Sequence, residues 1–331
     1  MLKGLYIGWA DGLRKIYGPE ERAAIEKLVD IYAPPQTPEM ITANPAILSE
    51  ADVIISAWGT PVMDEVFLAA APKLRAVFYG AGSIRYFVTE ALWNRNVVVT
   101  SAYISNDVPV AEYTQAVIIL SLKHIWRLTA HIKNGGAWWD RGLTVPGCYK
   151  STVGLISLGA IARMTLDLLK PFELQRIVYS TSLTEAEAKR LNVERCGLLE
   201  VFQRADVVSL HTASLPQTRG MITGEHFAAM KKGATFVNTA RGAVVREQEM
   251  IEVLRQRPDL TAVLDVTDPE PPAPDSPLLK LPNVIVTPHI SGAVDAECHR
   301  NGQSVVGEIQ RYINGQPLRC QITKETSVRL A

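Results

Sequence analysis

The sequence is poor in several features, and each shortage removes a class of function. Net charge is lacking: 34 Lys and Arg residues balance 34 Asp and Glu. No global field therefore draws the chain to nucleic acid or to an anionic membrane. Long apolar runs are also missing. The most apolar one, "AVIILSL" at 116–122, is far short of the roughly 20 residues that span a bilayer. The opening "MLKGLYIGWADG" shows no apolar stretch ahead of a small-residue cleavage site and reads as a first strand. The expectation is a cytoplasmic protein with a small-molecule partner, no nucleic acid and no membrane. Four cysteines, Cys148, Cys196, Cys298 and Cys320, stand far apart without CxxC spacing. They read as free thiols, and a metal site has no support.

What is present is a long, core-rich chain: 331 residues, 47% of them hydrophobic, enough for two cores. Short β-branched runs alternate with helical stretches throughout. "KGLYIGW", "DVIISAW", "LRAVFYG" and "NVVVTSA" come first, then "STVGLISLG", "RIVYS", "DVVSLH", "ATFVNTA", "TAVLDV" and "NVIVTPH". Helical candidates between them include residues 19–30, 63–71, 160–170 and 224–230. Strands that are apolar on both faces and separated by helices form parallel sheets covered on both sides. The fold class is doubly wound α/β.

The break between the two strand sets falls in "SAYISNDVPV" at 101–110, after which a long helix is expected over 111–133. A glycine-rich connector, "NGGAWWDRGLTVPGCYKST", leads to the second set, and the chain crosses back near 288–292 before a final helical segment at 294–314. Residues 1–102 with 291–331 are expected to form one domain and 103–290 the other. Two crossings make a hinge, with a ligand cleft expected between the halves.

In the second set, "VGLISLGAIAR" at 153–163 looks like a strand turning into a helix. The GxGxxG fingerprint belongs at such a turn, yet only the middle glycine, Gly159, is there. The three glycines do different jobs: tight turn, approach of backbone to pyrophosphate, and close helix-to-strand packing. Gly159 keeps the second job, where a side chain would collide with the ligand. Ser157 makes the turn less comfortable, and Ala162 is a tolerated third residue. Leu158, Gly159, Ala160 and Ile161 would offer a phosphate the amides and positive dipole of a helix start. Alone, this turn reads equally as a nucleotide site or a structural corner.

Past the next strand, an acidic residue would hold the adenosine ribose and repel a 2′-phosphate. The sequence has Ser180, Thr181 and Ser182 instead. NAD or NADP is therefore open, with NADP slightly favoured, and Arg163 is the nearby candidate for a phosphate. The hydroxyls also read as caps of the helix beginning near Thr184.

Three later segments carry ionisable residues at strand ends: "NTARG" at 238–242, "LDVTDPEP" at 264–271 and "TPHISG" at 287–292. Together with "LHTASLPQTRGMI", "MKKGATFVNTARGAVV", "LDVTDPEPPAPDSPLLKLPNVIVTPHISG" and "VAEYTQAVIIL", the chain resembles the D-isomer-specific 2-hydroxyacid dehydrogenase family over nearly its full length. The resemblance implies two Rossmann-like, doubly wound parallel-sheet domains, one flavodoxin-like and one dinucleotide-binding. It implies hydride transfer between NAD(P)H and a small 2-keto acid to give the D-2-hydroxy acid.

On that resemblance His289 is the general acid/base, the residue type whose pKa suits neutral proton transfer, and Glu270 holds its ring. Arg241 grips the substrate carboxylate, which a planar guanidinium meets with two donors. Ala81 and Gly82 in "FYGAGSIRYF" offer backbone amides to the same carboxylate; Ile84 stands where the family usually has an aspartate. Asp265 corresponds to the aspartate near the nicotinamide carboxamide, and also reads as a turn cap. His211, Thr239, Ala240 and Ser180 line the cofactor. Trp58, Tyr103 and Tyr149 read either as substrate-pocket walls or as core. The helix at 111–133 suits a homodimer interface or burial against its own domain. A rival from another class is a dinucleotide-sensing, corepressor-like scaffold without significant turnover, favoured by the departures at Ser157, Ser180 and Ile84.

Overall fold

The computed structural model describes residues 1–138 and 144–327. Part of the glycine-rich connector, 139–143, lies outside the described residues. The chain divides into two compact units, Met1–Asp107 with Ala293–Ala331, and Val108–Gly292.

In the first unit, strands β1 (Leu2–Ile7), β2 (Val29–Ile31), β3 (Val53–Ser56), β4 (Ala76–Tyr79) and β5 (Val98–Ser101) are parallel, and Gln321–Ile322 adds an antiparallel edge beside β5. The order is β2-β1-β3-β4-β5 followed by that edge strand. Every residue of β3 and β4 is buried, as expected of central strands covered on both faces. Helix Cys298–Ile313 places Val305 and Ile309, each 1% exposed, in this core. Burying each such side chain contributes roughly 1.5–3 kcal/mol.

The second unit holds β6 (Thr152–Ile156), β7 (Gln175–Tyr179), β8 (Glu194–Arg195), β9 (Val207–Leu210), β10 (Thr235–Asn238), β11 (Thr261–Leu264) and β12 (Val284–Val286), all parallel. Their order is β12-β11-β10-β9-β6-β7-β8. The chain winds outward from β6 to β7 and β8, then returns to β9 on the other side. That reversal is the topological switch point, where open α/β sheets bind ligands at the strands' carboxyl ends.

Several element boundaries differ from those read in the sequence. The first helix candidate stops at Glu26, and Val29–Ile31 is a strand. The expected single helix at 111–133 is two: Tyr103–Leu122, with Pro109 inside it, and Ile125–Lys133. His124 separates them with a left-handed φ of 50°. The polar stretch at 101–110 is thus mostly helical. The apolar run within the first of these helices is explained by its own unit: Val117, Ile118 and Leu122 pack with Val153 and Leu155 of β6. Among the described residues no helix is long and apolar enough to cross a membrane.

Candidate active site

The second sheet ends in register. Tyr179, Ile156, Leu210, Asn238, Leu264 and Val286 are successive partners across six strands. The residues that follow, Ser180, Ser157, His211, Thr239, Asp265 and Thr287, therefore emerge along one edge. Backbone bonds hold this row: Ser157 N donates to Tyr179 O at 2.7 Å, His211 N to Ile156 O at 2.9 Å, Asp265 N to Asn238 O at 3.0 Å and Thr287 N to Leu264 O at 2.9 Å.

At the switch point the worn fingerprint has a defined shape. Ser157 adopts φ of 77°, the left-handed conformation for which the first glycine normally serves. A side chain tolerates it at a cost of about 1–2 kcal/mol. Gly159 has nothing within 4 Å of where a Cβ would stand, so the space over the turn is open. Helix Ala160–Leu168 starts there with no side-chain cap, leaving its first amides for a ligand or water. Ala162 is fully buried and Leu158 is 6% exposed; Leu158 has only its backbone to offer a ligand. These features fit the pyrophosphate of a dinucleotide.

His211 follows β9. Its Nε2 lies 3.0 Å from Ser209 Oγ, and desolvation of the ring pushes its pKa down to about 4. The imidazole is uncharged at neutral pH, which suits lining and not proton delivery. Thr239 is 6% exposed, and its Oγ1 lies 3.0 Å from Thr114 Oγ1.

The turn after β10 is shaped by a residue the sequence reading passed over. Asn238 is 1% exposed; its Oδ1 accepts Ala240 N at 3.0 Å and its Nδ2 donates to Arg241 O at 3.2 Å. This side-chain clamp sets the backbone that presents Arg241. The guanidinium, half-buried, donates to Ala240 O at 2.6 Å. A Cβ on Gly242 would stand 2.1 Å from Thr267 C and 2.2 Å from Thr267 O. The missing side chain lets the Arg241 turn run directly against the segment that leads to Glu270.

His289 Nδ1 and Glu270 Oε1 are 2.5 Å apart, with side chains 45% and 40% exposed. The carboxylate fixes the ring through one nitrogen and leaves Nε2 for chemistry. His289 itself has φ of 54°. Buried Asp265 holds that conformation: its carbonyl accepts His289 N at 3.0 Å. Its carboxylate accepts Thr287 Oγ1 at 2.6 Å, Ile290 N at 2.9 Å and Ser291 N at 2.8 Å. Tyr113 Oη, 3.1 Å from Thr287 Oγ1, extends the network. Asp265 thus spends its carboxylate on the turn around His289.

In the first unit, Ala81 and Gly82 follow β4. Ser101 Oγ donates to their carbonyls, at 2.7 Å to Ala81 and 2.5 Å to Gly82, orienting the loop backbone. Ile84 is 2% exposed and belongs to the same buried core as Phe87. Trp58 and Tyr103 pack against the same core. Tyr149 is 64% exposed with the Lys150 ammonium 5.0 Å from its ring centre, so core packing does not explain it. Arg163, the arginine expected near the ribose, is engaged by Glu187 at 2.7 Å.

Comparison with known proteins gives this edge its context. Residues 115–291 match the family described as D-isomer specific 2-hydroxyacid dehydrogenase, NAD binding domain. The chain is 33% identical over 275 residues to D-3-phosphoglycerate dehydrogenase of Methanocaldococcus jannaschii, covering 81% of this chain and 51% of that one. It spans about half the length of the phosphoglycerate dehydrogenases it matches. Glyoxylate reductase of Korarchaeum cryptofilum is 30% identical over 309 residues, covering 92% of this chain and 90% of that one. A phosphoglycerate oxidoreductase from Rhizobium etli has the same fold, with a TM-score of 0.80 at 22% identity over 98% of this chain and 99% of that one. The parallel unit with its switch point at β6 and β9 is accordingly the nicotinamide-dinucleotide domain. The protein belongs to the D-isomer specific 2-hydroxyacid dehydrogenase family.

Proposed function

We propose that this chain reduces a small 2-keto acid to the D-2-hydroxy acid with a nicotinamide dinucleotide. The observation that carries the reading is the His289–Glu270 pair, held at one sheet edge by the Asp265 clamp, on the same edge as Arg241. Reduction of a ketone needs a hydride, which the dinucleotide supplies when bound, and a proton for the developing alkoxide. His289 Nε2 delivers that proton while Glu270 stabilises the charged ring. Arg241 binds the substrate carboxylate with two parallel donors and orients the keto carbon. In the first unit, the loop amides of Ala81 and Gly82 are assigned to substrate binding by the resemblance alone.

Thr239 and Ala240 present backbone to the dinucleotide, and His211 lines it as a neutral ring. Leu158, Gly159, Ala160 and Ile161 bind its pyrophosphate. The end of β7 bears Ser180 and no carboxylate, which admits NAD or NADP and slightly favours NADP. A scaffold without turnover is the weaker reading, because the acid, its carboxylate partner and the arginine are all retained.

Turnover measured with NADH and NADPH against glyoxylate, hydroxypyruvate, pyruvate and bulkier 2-keto acids tests the assignment. Oxidation of the reduced dinucleotide that depends on one of these acids, with a D-hydroxy product, is the expected result. A folded chain that binds dinucleotide and is silent on all of them would overturn it.

A further inference from the structure

We propose that the outer end of β7 and β8 is a binding site for a phosphomonoester on the adenosine ribose, and that Arg195 is its principal ligand. This rests on the reading that the second unit binds a nicotinamide dinucleotide. It assigns a role to a residue fifteen positions beyond Ser180, on a strand that the sequence pattern does not show.

The placement follows from strand register. Arg195 on β8 pairs with Val178 on β7, and Cys196 N donates to Val178 O at 3.1 Å. β8 ends at Arg195, one register position before β7 ends at Tyr179, and Ser180 follows at the carboxyl edge of the sheet. The result is a cleft of about 600 Å³ lined by Tyr179, Ser180, Thr181, Glu185, Arg195 and Cys196. In a sheet of this order the adenosine ribose lies at the end of the strand after the pyrophosphate turn, which here is β7.

The lining chemistry suits an anion with several acceptor oxygens. A ribose phosphate presents such oxygens and close to two negative charges. Ser180 is 7% exposed, and its Oγ accepts Ser182 N at 3.3 Å while lying 3.2 Å from Ser182 Oγ. That network orders the 180–182 loop, and Ser180 and Thr181 bring hydroxyl groups to the cleft lining. Arg195 adds a planar guanidinium able to meet two phosphate oxygens. Cys196 does not oppose the charge: burial pushes its thiol up to about 11, so it stays neutral.

The opposing group is Glu185. Its Oε1 stands 3.5 Å from Arg195 Nη1, with side chains 84% and 46% exposed. So long and solvated a pair holds little energy, and the glutamate is free to rotate into water when a stronger anion arrives. Arg163 is not the ligand, since Glu187 engages it at 2.7 Å.

Calorimetric titration of the full chain with 2′,5′-ADP, 5′-AMP and inorganic phosphate tests the proposal without turnover. 2′,5′-ADP is expected to bind roughly tenfold or more tightly than 5′-AMP, the worth of one charge-assisted pair. Arg195→Ala should remove that advantage and leave 5′-AMP unchanged; Glu185→Gln should enlarge it. Equal affinity for the two nucleotides overturns the proposal, as does an Arg195→Ala variant that weakens both alike. Inorganic phosphate binding as tightly as 2′,5′-ADP would show a free-anion site instead and overturn it too. A chain that reduces 2-keto acids with NADH alone sinks this inference and leaves the proposed function standing. Selective 2′,5′-ADP binding with no keto-acid turnover does the reverse.

Discussion

Replacing Asp265 with asparagine probes how the chain holds its histidine. Asp265 is 1% exposed. One carboxylate oxygen accepts both Thr287 Oγ1 and Ile290 N, at 2.6 and 2.9 Å, and the other accepts Ser291 N at 2.8 Å. Asparagine keeps the shape but turns one acceptor into a donor. In its better orientation it retains the first two bonds, loses that to Ser291 and sets two N–H groups face to face. A hydrogen bond to a charged group contributes about 1.5–3 kcal/mol, and a buried amide left without a partner costs about 1–3 kcal/mol. Because these overlap, the net loss is about 2–4 kcal/mol. Urea unfolding reads it as a lower midpoint at unchanged slope. Because the same segment positions His289, kcat should fall while dinucleotide affinity changes little. A variant within about 0.5 kcal/mol of the parent, the range of an ordinary surface change, would refute the clamp.

Other substitutions give sharper local outcomes. Ser157→Gly should stabilise the chain by a few tenths to about 1 kcal/mol, since relief of the left-handed strain exceeds the added unfolded-state entropy; a lower thermal midpoint would contradict the strain. Gly242→Ala should cost roughly 3 kcal/mol or more and lower the soluble yield, because its Cβ would meet Thr267 backbone at 2.1 Å, a clash that no rotamer change relieves. His211 gives a pH signature. Its folded pKa of about 4 lies below the ordinary 6.5, so the unfolded chain takes up a proton that the folded chain refuses. Stability should therefore fall as pH drops from 6.5 toward 4, and His211→Gln should flatten that part of the urea-midpoint profile; an unaltered profile would show the ring to be solvated.

Much of this architecture is legible in the sequence because its central strands are buried on both faces. "DVVSLH" and "ATFVNTA" announce β9 and β10 without help from context, since covered parallel strands must be apolar throughout. Their carboxyl ends then name the candidate chemistry: Thr239, Arg241, Asp265 and His289 all lie at or just past such an end. The edge strands β2 and β8 are two or three residues long and are held by backbone bonds, which leave no periodic trace. Arg195 was invisible for that reason, as its neighbourhood depends on the register of β8 with β7. The start of the helix inside the polar stretch 101–110 is hidden in another way. A proline normally marks a helix boundary, yet here the helix begins at Tyr103 and runs through it. Asn238 gave no signal, because its work is to fold back on the turn that follows it.

In the proposed reaction His289 delivers the proton while Arg241 and the dinucleotide turn do the binding. Single-turnover reduction of the best 2-keto acid by His289→Ala, with dinucleotide affinity measured on the same sample, tests it most directly. The rate should fall roughly 10²–10⁴-fold, the usual worth of general acid catalysis, with dinucleotide affinity unchanged. A rate close to that of the parent enzyme would contradict the account.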